Sequence, residues 1–107
     1  TACKGNPMLY SVFCQDAENT AALREKHLVA LRAHLDAWRE QIFFSGPLQT
    51  DDALVALGSL FILNVADRAE AERFIQTETF YNAGIFASVT IRRMRKGRYN
   101  PALIEGL

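Results

Sequence analysis

Apolar and polar residues alternate from Met8 to Cys14, with Leu9, Ser11 and Phe13 on one side and Tyr10, Val12 and Cys14 on the other. A period of two in a stretch rich in Leu, Tyr, Val and Phe predicts a half-buried first strand. The period then changes. From about Ala17 or Thr20 to Glu40, Leu28, Leu31, Leu35 and Trp38 recur at three- and four-residue steps, which is the spacing of one buried helical stripe. The polar stretch Gln15 to Thr20 precedes it, and Asp16 or Asn19 is placed to cap the helix. At about 100° per residue, Leu23, Arg24, His27 and His34 fall on or beside the stripe, while Glu25, Arg32, Asp36 and Glu40 fall away from it. A cation and an imidazole on a packing face are either satisfied structural polar groups or the lining of a cleft.

Ile42-Phe43-Phe44 begins a second strand that runs into Ser45-Gly46-Pro47-Leu48, where the Gly-Pro pair is expected to end regular pairing. Gln49 to Ala53 is turn-like, and Leu54 to Leu57 leads into a third strand over Ser59 to Val65. Asp67 with Glu70 three residues on forms a capping-box pattern that opens a helix over Arg68 to Gln76. Thr77 to Gly84 reads as irregular, and Phe86 to Met94 as a last strand. The order βαββαβ predicts an α+β, ferredoxin-like fold, a four-stranded antiparallel sheet with both helices on one face. The other face would be bare, with Phe13, Phe44 and Leu63 as candidates for it. A bare apolar face predicts cover by a second copy, hence a two-fold homodimer, with higher oligomers left open.

A chain of 107 residues, half of them hydrophobic, holds one domain. It buries roughly 60–70% of its unfolded surface. We place that domain at 8–98, with 99–107 as a C-terminal extension that packs on a neighbour or frays. Residues 1–7 read as upstream sequence, with Met8 as the start. Twelve basic residues balance 12 acidic ones, so no global field favours nucleic acid. The basic run Arg92, Arg93, Arg95, Lys96, Arg98 reads instead as a charged edge strand that discourages aggregation. No apolar run approaches the ~20 residues of a membrane span. Cys3 and Cys14 have no partner at zinc-site spacing and read as reduced thiols of a cytoplasmic protein. His34 lies about 10 Å along the helix from His27, too far to share one zinc. No metal and no cofactor is therefore expected.

Five stretches together resemble the YciI-like (YCII-related) family: Met8-Leu9-Tyr10…Gln15-Asp16, Arg24-x-x-His27-Leu28, Ser45-Gly46-Pro47-Leu48, Gly58-Ser59, and Glu78-Thr79-Phe80…Ala83-Gly84-Ile85-Phe86. They span nearly all of 8–95. The resemblance implies a dimeric α+β barrel of ferredoxin-like subunits. It also implies enzyme chemistry built on a first-helix histidine and an aspartate in an Asp-Pro-aromatic motif. Related barrels include dehydrochlorinases and lactone isomerases. His27 matches the histidine; Glu78 and Thr79 stand in place of Asp and Pro, and Arg93 stands where members often carry Pro.

The expected site therefore pairs His27 with Glu78 as acid–base catalyst and orienting carboxylate. Arg24 would clamp a substrate carboxylate bidentately, and Ser45, Gly46, Pro47 and Phe80 would complete the cleft. The plainer reading makes His27–Glu78 a buried structural hydrogen bond and Arg24 a cation lying over the leucine stripe. Tyr81 and Phe86 are wall or ordinary core, and Cys14 is a small buried thiol rather than a nucleophile. No nucleophile elbow surrounds Ser45 or Ser59. Two functions follow: a lyase or isomerase moving a proton on a small organic acid, or a non-catalytic module that binds a small ligand or a partner.

Overall fold

The computed structural model describes residues 8–106, so Cys3 and the reading of 1–7 lie outside the described residues. Its elements are β1 (Met8–Asp16), α1 (Ala21–Lys26), α2 (Leu28–Ala37), β2 (Ile42–Gln49), β3 (Ala56–Val65), α3 (Arg68–Gln76), α4 (Thr79–Asn82) and β4 (Phe86–Met94), followed by a 3₁₀ segment, Pro101–Gly106. All strand pairs are antiparallel, in the order β2-β3-β1-β4. That is the ferredoxin-like arrangement the alternation predicts, with β2 and the basic β4 at the edges.

One face of the sheet carries the core. Tyr10, Val12 and Cys14 of β1 and Phe61, Leu63 and Val65 of β3 pack against Ala71, Phe74 and Ile75 of α3. Phe74 is the hub: its ring meets Phe61 edge-on at 4.9 Å and Trp38 at 5.4 Å. A smaller cluster of Leu31, Phe80 and Ile85 lies under α2 and α4. α3 has the predicted bounds, with Asp67 accepting from Glu70 N–H at 2.9 Å and Glu70 Oε1 accepting from Ala66 N–H at 2.8 Å.

Several expectations are corrected. The long first helix is two helices that meet at His27, whose backbone (φ −101°, ψ 8°) is not helical. The chain bends there while keeping its ladder, with His27 N–H bonded to Leu23 O at 3.1 Å and Leu31 N–H to His27 O at 2.9 Å. α2 stops at Ala37, and Leu23 is exposed rather than on the buried stripe. Neither Asp16 nor Asn19 caps α1. Thr20 takes the N-cap position without a side-chain cap bond, and Asn19 turns the loop at φ 61°. β2 continues through Gly46 and Pro47, which pair with Leu60 and Ser59. An edge strand tolerates a residue lacking an N–H, which is why the Gly-Pro pair does not end it. Leu63 faces the core and is fully buried, not on the free face.

The free face does carry Phe13 and Phe44, 42% and 44% exposed. The segment after β4 returns over its far end, where Tyr99 stacks obliquely on Phe43 at 5.5 Å.

Gly58 is the tightest point of the sheet. A Cβ there would lie 2.1 Å from the Cys14 carbonyl oxygen, whereas one on Gly46 would meet nothing within 4 Å. Gly58→Ala should therefore part β1 from β3 and cost about 1–3 kcal/mol or more, read as a lower urea midpoint. Gly46→Ala should leave that midpoint close to wild type.

Candidate functional site

Alternation along β1 continues one step past the core. After Tyr10, Val12 and Cys14, the next residue on that face is Asp16, at the end of the strand. Its carboxylate takes both forks of Arg24 from α1: Nε to Oδ2 at 2.6 Å and Nη2 to Oδ1 at 2.9 Å. Nη2 also donates to the Gly58 carbonyl at 2.9 Å and meets Ser59 Oγ at 3.1 Å. The Arg24 and Asp16 side chains are only 14% and 6% exposed. A bidentate pair so shielded from water is strong and geometrically specific. The charge of Arg24 is thus balanced, and the expectation that its Nε/Nη2 fork stands free for a substrate carboxylate is corrected: Asp16 already holds it.

The guanidinium forms one end of a cavity of about 140 Å³ lined by Leu28, Leu31 and Leu35 of α2, Ser45, Gly46 and Pro47 of β2, Ser59 and Phe61 of β3, and Phe80 of α4. Arg24 Cζ lies 4.9 Å from the centre of the Phe80 ring. Arg24, Ser45, Gly46, Pro47 and Phe80 thus share one concavity. His27 and Glu78 do not line it.

No hydrogen bond joins His27 to Glu78, so the expected direct pair is not formed. His27 is half-buried at the α1–α2 junction. Glu78 is fully buried, and it caps α4: Oε1 accepts from Tyr81 N–H at 2.7 Å, while Oε2 has no partner. The stretch read as irregular is in fact this short helix, and the first position after the cap, Thr79, is where proline is favoured. At its other end Gly84 takes φ 78°. Gly84 N–H bonds to Tyr81 O at 3.2 Å and Ile85 N–H to Phe80 O at 3.1 Å. This is a Schellman ending, with the usual apolar contact between Ile85 and Phe80. Both caps serve to fix Phe80 against the cavity. Burial raises the Glu78 carboxyl above its ordinary value, opposed by the Tyr81 and Phe80 backbone amides and by Arg24.

The remaining candidates separate cleanly. Burial, with Glu78 and Asp16 nearby, pushes the Cys14 thiol up to about 12, which rules out a thiolate nucleophile at neutral pH. His34 packs against Phe74 at 5.2 Å and Trp38 at 6.3 Å, and burial lowers its basicity. Phe86 belongs to the core, turned inward by an irregularity in the β1–β4 register beside Asp16. Tyr81 is 44% exposed. Among the described residues no three His, Cys, Asp or Glu side chains gather as metal ligands, and no helix is long and apolar enough to cross a membrane. Sequence reasoning missed Asp16 by treating it as a helix cap; the period of two, run one residue further, places it on the core face.

The model of the YCII-related domain family matches residues 8–95. No curated protein matches the chain in sequence. The fold recurs in solved structures, including these two. One is 5-chloro-2-hydroxyhydroquinone dehydrochlorinase (TftG) from Burkholderia phenoliruptrix AC1100, in complex with 2,5-dihydroxybenzoquinone. It is 24% identical, with TM-score 0.77, over 84% of this chain and 96% of that one. The other is PA3566 from Pseudomonas aeruginosa, 22% identical, with TM-score 0.52, over 86% of this chain and 95% of that one.

The buried carboxyl of Glu78 sets a pH dependence. Its folded pKa lies above the unfolded one, so the fold favours the protonated form. That stabilisation is complete below the ordinary value of 4.5 and is lost as pH rises through the raised value. Glu78→Gln keeps an acceptor for Tyr81 N–H and removes the titration. Urea unfolding at stepped pH should show the variant gaining on wild type as pH rises from 4 towards neutrality.

Proposed function

Since the chain belongs to the YCII-related domain family, we propose that it is a small-molecule enzyme of lyase or isomerase type working at the Arg24 cavity. The observation that carries this reading is the cavity itself. A cavity of about 140 Å³ matches the ~150 Å³ that accommodates a benzene-sized ring, and its apolar walls are interrupted by one guanidinium and two serine hydroxyls. Few polar groups converging on an apolar concavity is the usual character of a ligand site.

In this reading His27 moves the proton. Its half-buried imidazole follows Arg24 by one turn, and an imidazole ring can both take up and return a proton. Abstraction of a proton from carbon, followed by its return elsewhere or by loss of a leaving group, gives isomerisation or HX elimination. Glu78 serves as a positioning residue, because its cap on α4 fixes Phe80. The dehydrochlorinase activity of TftG, the first of the two fold relatives, agrees with this class of chemistry. The working unit is a cytoplasmic homodimer joined through the free sheet face, where Phe13 and Phe44 are exposed.

The absence of His27 from the cavity wall favours a second reading, a non-catalytic module that binds its ligand in the same place. One measurement separates the two. Ring compounds that raise the melting temperature are incubated with the protein in D₂O, and carbon-bound hydrogen is followed by NMR. The enzyme reading expects exchange well above buffer, lost by at least 100-fold in His27→Ala with ligand binding retained. Binding without exchange would establish the second reading, and exchange undiminished in His27→Ala would overturn the role of His27.

A further inference from the structure

The cavity's one charged wall is already neutralised. Arg24 spends Nε and Nη2 on both oxygens of Asp16, and Nη2 also serves the Gly58 carbonyl and Ser59. Both partners are nearly sealed from water. A ligand carboxylate could gain the Nε/Nη2 fork only by displacing Asp16, which would leave that anion buried and unpaired, the costly way to break such a pair; at Nη1 it would meet a cation whose charge Asp16 already balances. Glu78 adds no positive charge in either protonation state. The charged groups around Arg24 therefore sum to zero, or to minus one when Glu78 ionises. An incoming anion meets no net attraction, and it must shed its water among Leu28, Leu31, Leu35, Phe61 and Phe80. A neutral ring meets none of these costs: it stacks among the apolar walls and exchanges hydrogen bonds with the Ser45 and Ser59 hydroxyls.

We propose that Asp16 determines specificity by charge: holding Arg24, it makes the cavity select an uncharged single-ring compound bearing hydroxyl or carbonyl groups and reject the carboxylate of the same shape. The proposal rests on the reading of this cavity as the substrate site, and it names the substrate class for that site. Asp16 acts through Arg24 and is a positioning residue, not a catalytic one.

The test titrates the full-length chain with hydroquinone and with benzoate at pH 7.5. Hydroquinone should bind at least 10-fold more tightly. In Asp16→Asn, which uncovers the cation while keeping an acceptor for Arg24, benzoate should gain at least 10-fold and hydroquinone change by less than about 3-fold. Should that variant not fold, wild type answers alone. Affinity for a nitrophenol should fall 10-fold for each pH unit above the ligand's own pKa, because only the neutral form binds. Tighter binding of benzoate, or a nitrophenol affinity that holds or rises on ionisation, overturns the role of Asp16 while leaving the cavity as the binding site. Failure of all three compounds to bind overturns the cavity reading and this proposal with it.

Discussion

The ion pair between Arg24 and Asp16 joins three elements at one point. Asp16 ends β1, Arg24 belongs to α1, and the Gly58 carbonyl and Ser59 hydroxyl that share the guanidinium begin the inner part of β3. Gly58 must lack a side chain so that β3 can approach the Cys14 carbonyl, and that close approach brings its own carbonyl within reach of Arg24. The pair is shielded enough to resist screening, in contrast to the exposed Arg68–Glu72 bridge, whose side chains are 53% and 45% exposed and which contributes little. Position of the cavity, orientation of the first helix and charge of the site are thus one problem with one solution.

Patterning reveals the fold because burial enforces it. The period of two in β1 and the stripe of Leu28, Leu31 and Leu35 survive as buried faces, and the Asp67–Glu70 pair opens α3 where the capping pattern places it. The site was less legible, for two physical reasons. Periodicity says which face a residue occupies but not what it meets there, so Arg24 was visible while its partner was read as a cap. Local end-chemistry can also build a helix without any hydrophobic repeat. α4 is four residues long, too short for a period, and only the Glu78 cap and the left-handed Gly84 specify it. Proline at an edge misleads in the opposite direction: Pro47 breaks a central strand but is harmless in β2.

Glu78 shows how a single residue divides its two oxygens between structure and chemistry. One oxygen holds Tyr81 N–H and with it the register of α4, and the other is buried without a partner. Burial of that oxygen favours the protonated form over the ionised one, so the wall carrying Phe80 stands on a carboxyl that resists ionisation. The glutamate side chain reaches the third amide of the helix, that of Tyr81.

The break at His27 also has a bearing on motion. α1 is six residues long and contains no fully buried residue, and a helix of that length has negligible stability of its own. Arg24 anchors it to β1 and β3, and it shares the turn at His27 with α2. Regions of this kind open locally at a small fraction of the global unfolding free energy. Amide hydrogens of α1 would then exchange with solvent through an opening that α3 does not share. The same event that releases Arg24 from Asp16 would unseat the α1 end of the cavity, so a ligand would enter through that opening and be held only once the pair has closed behind it.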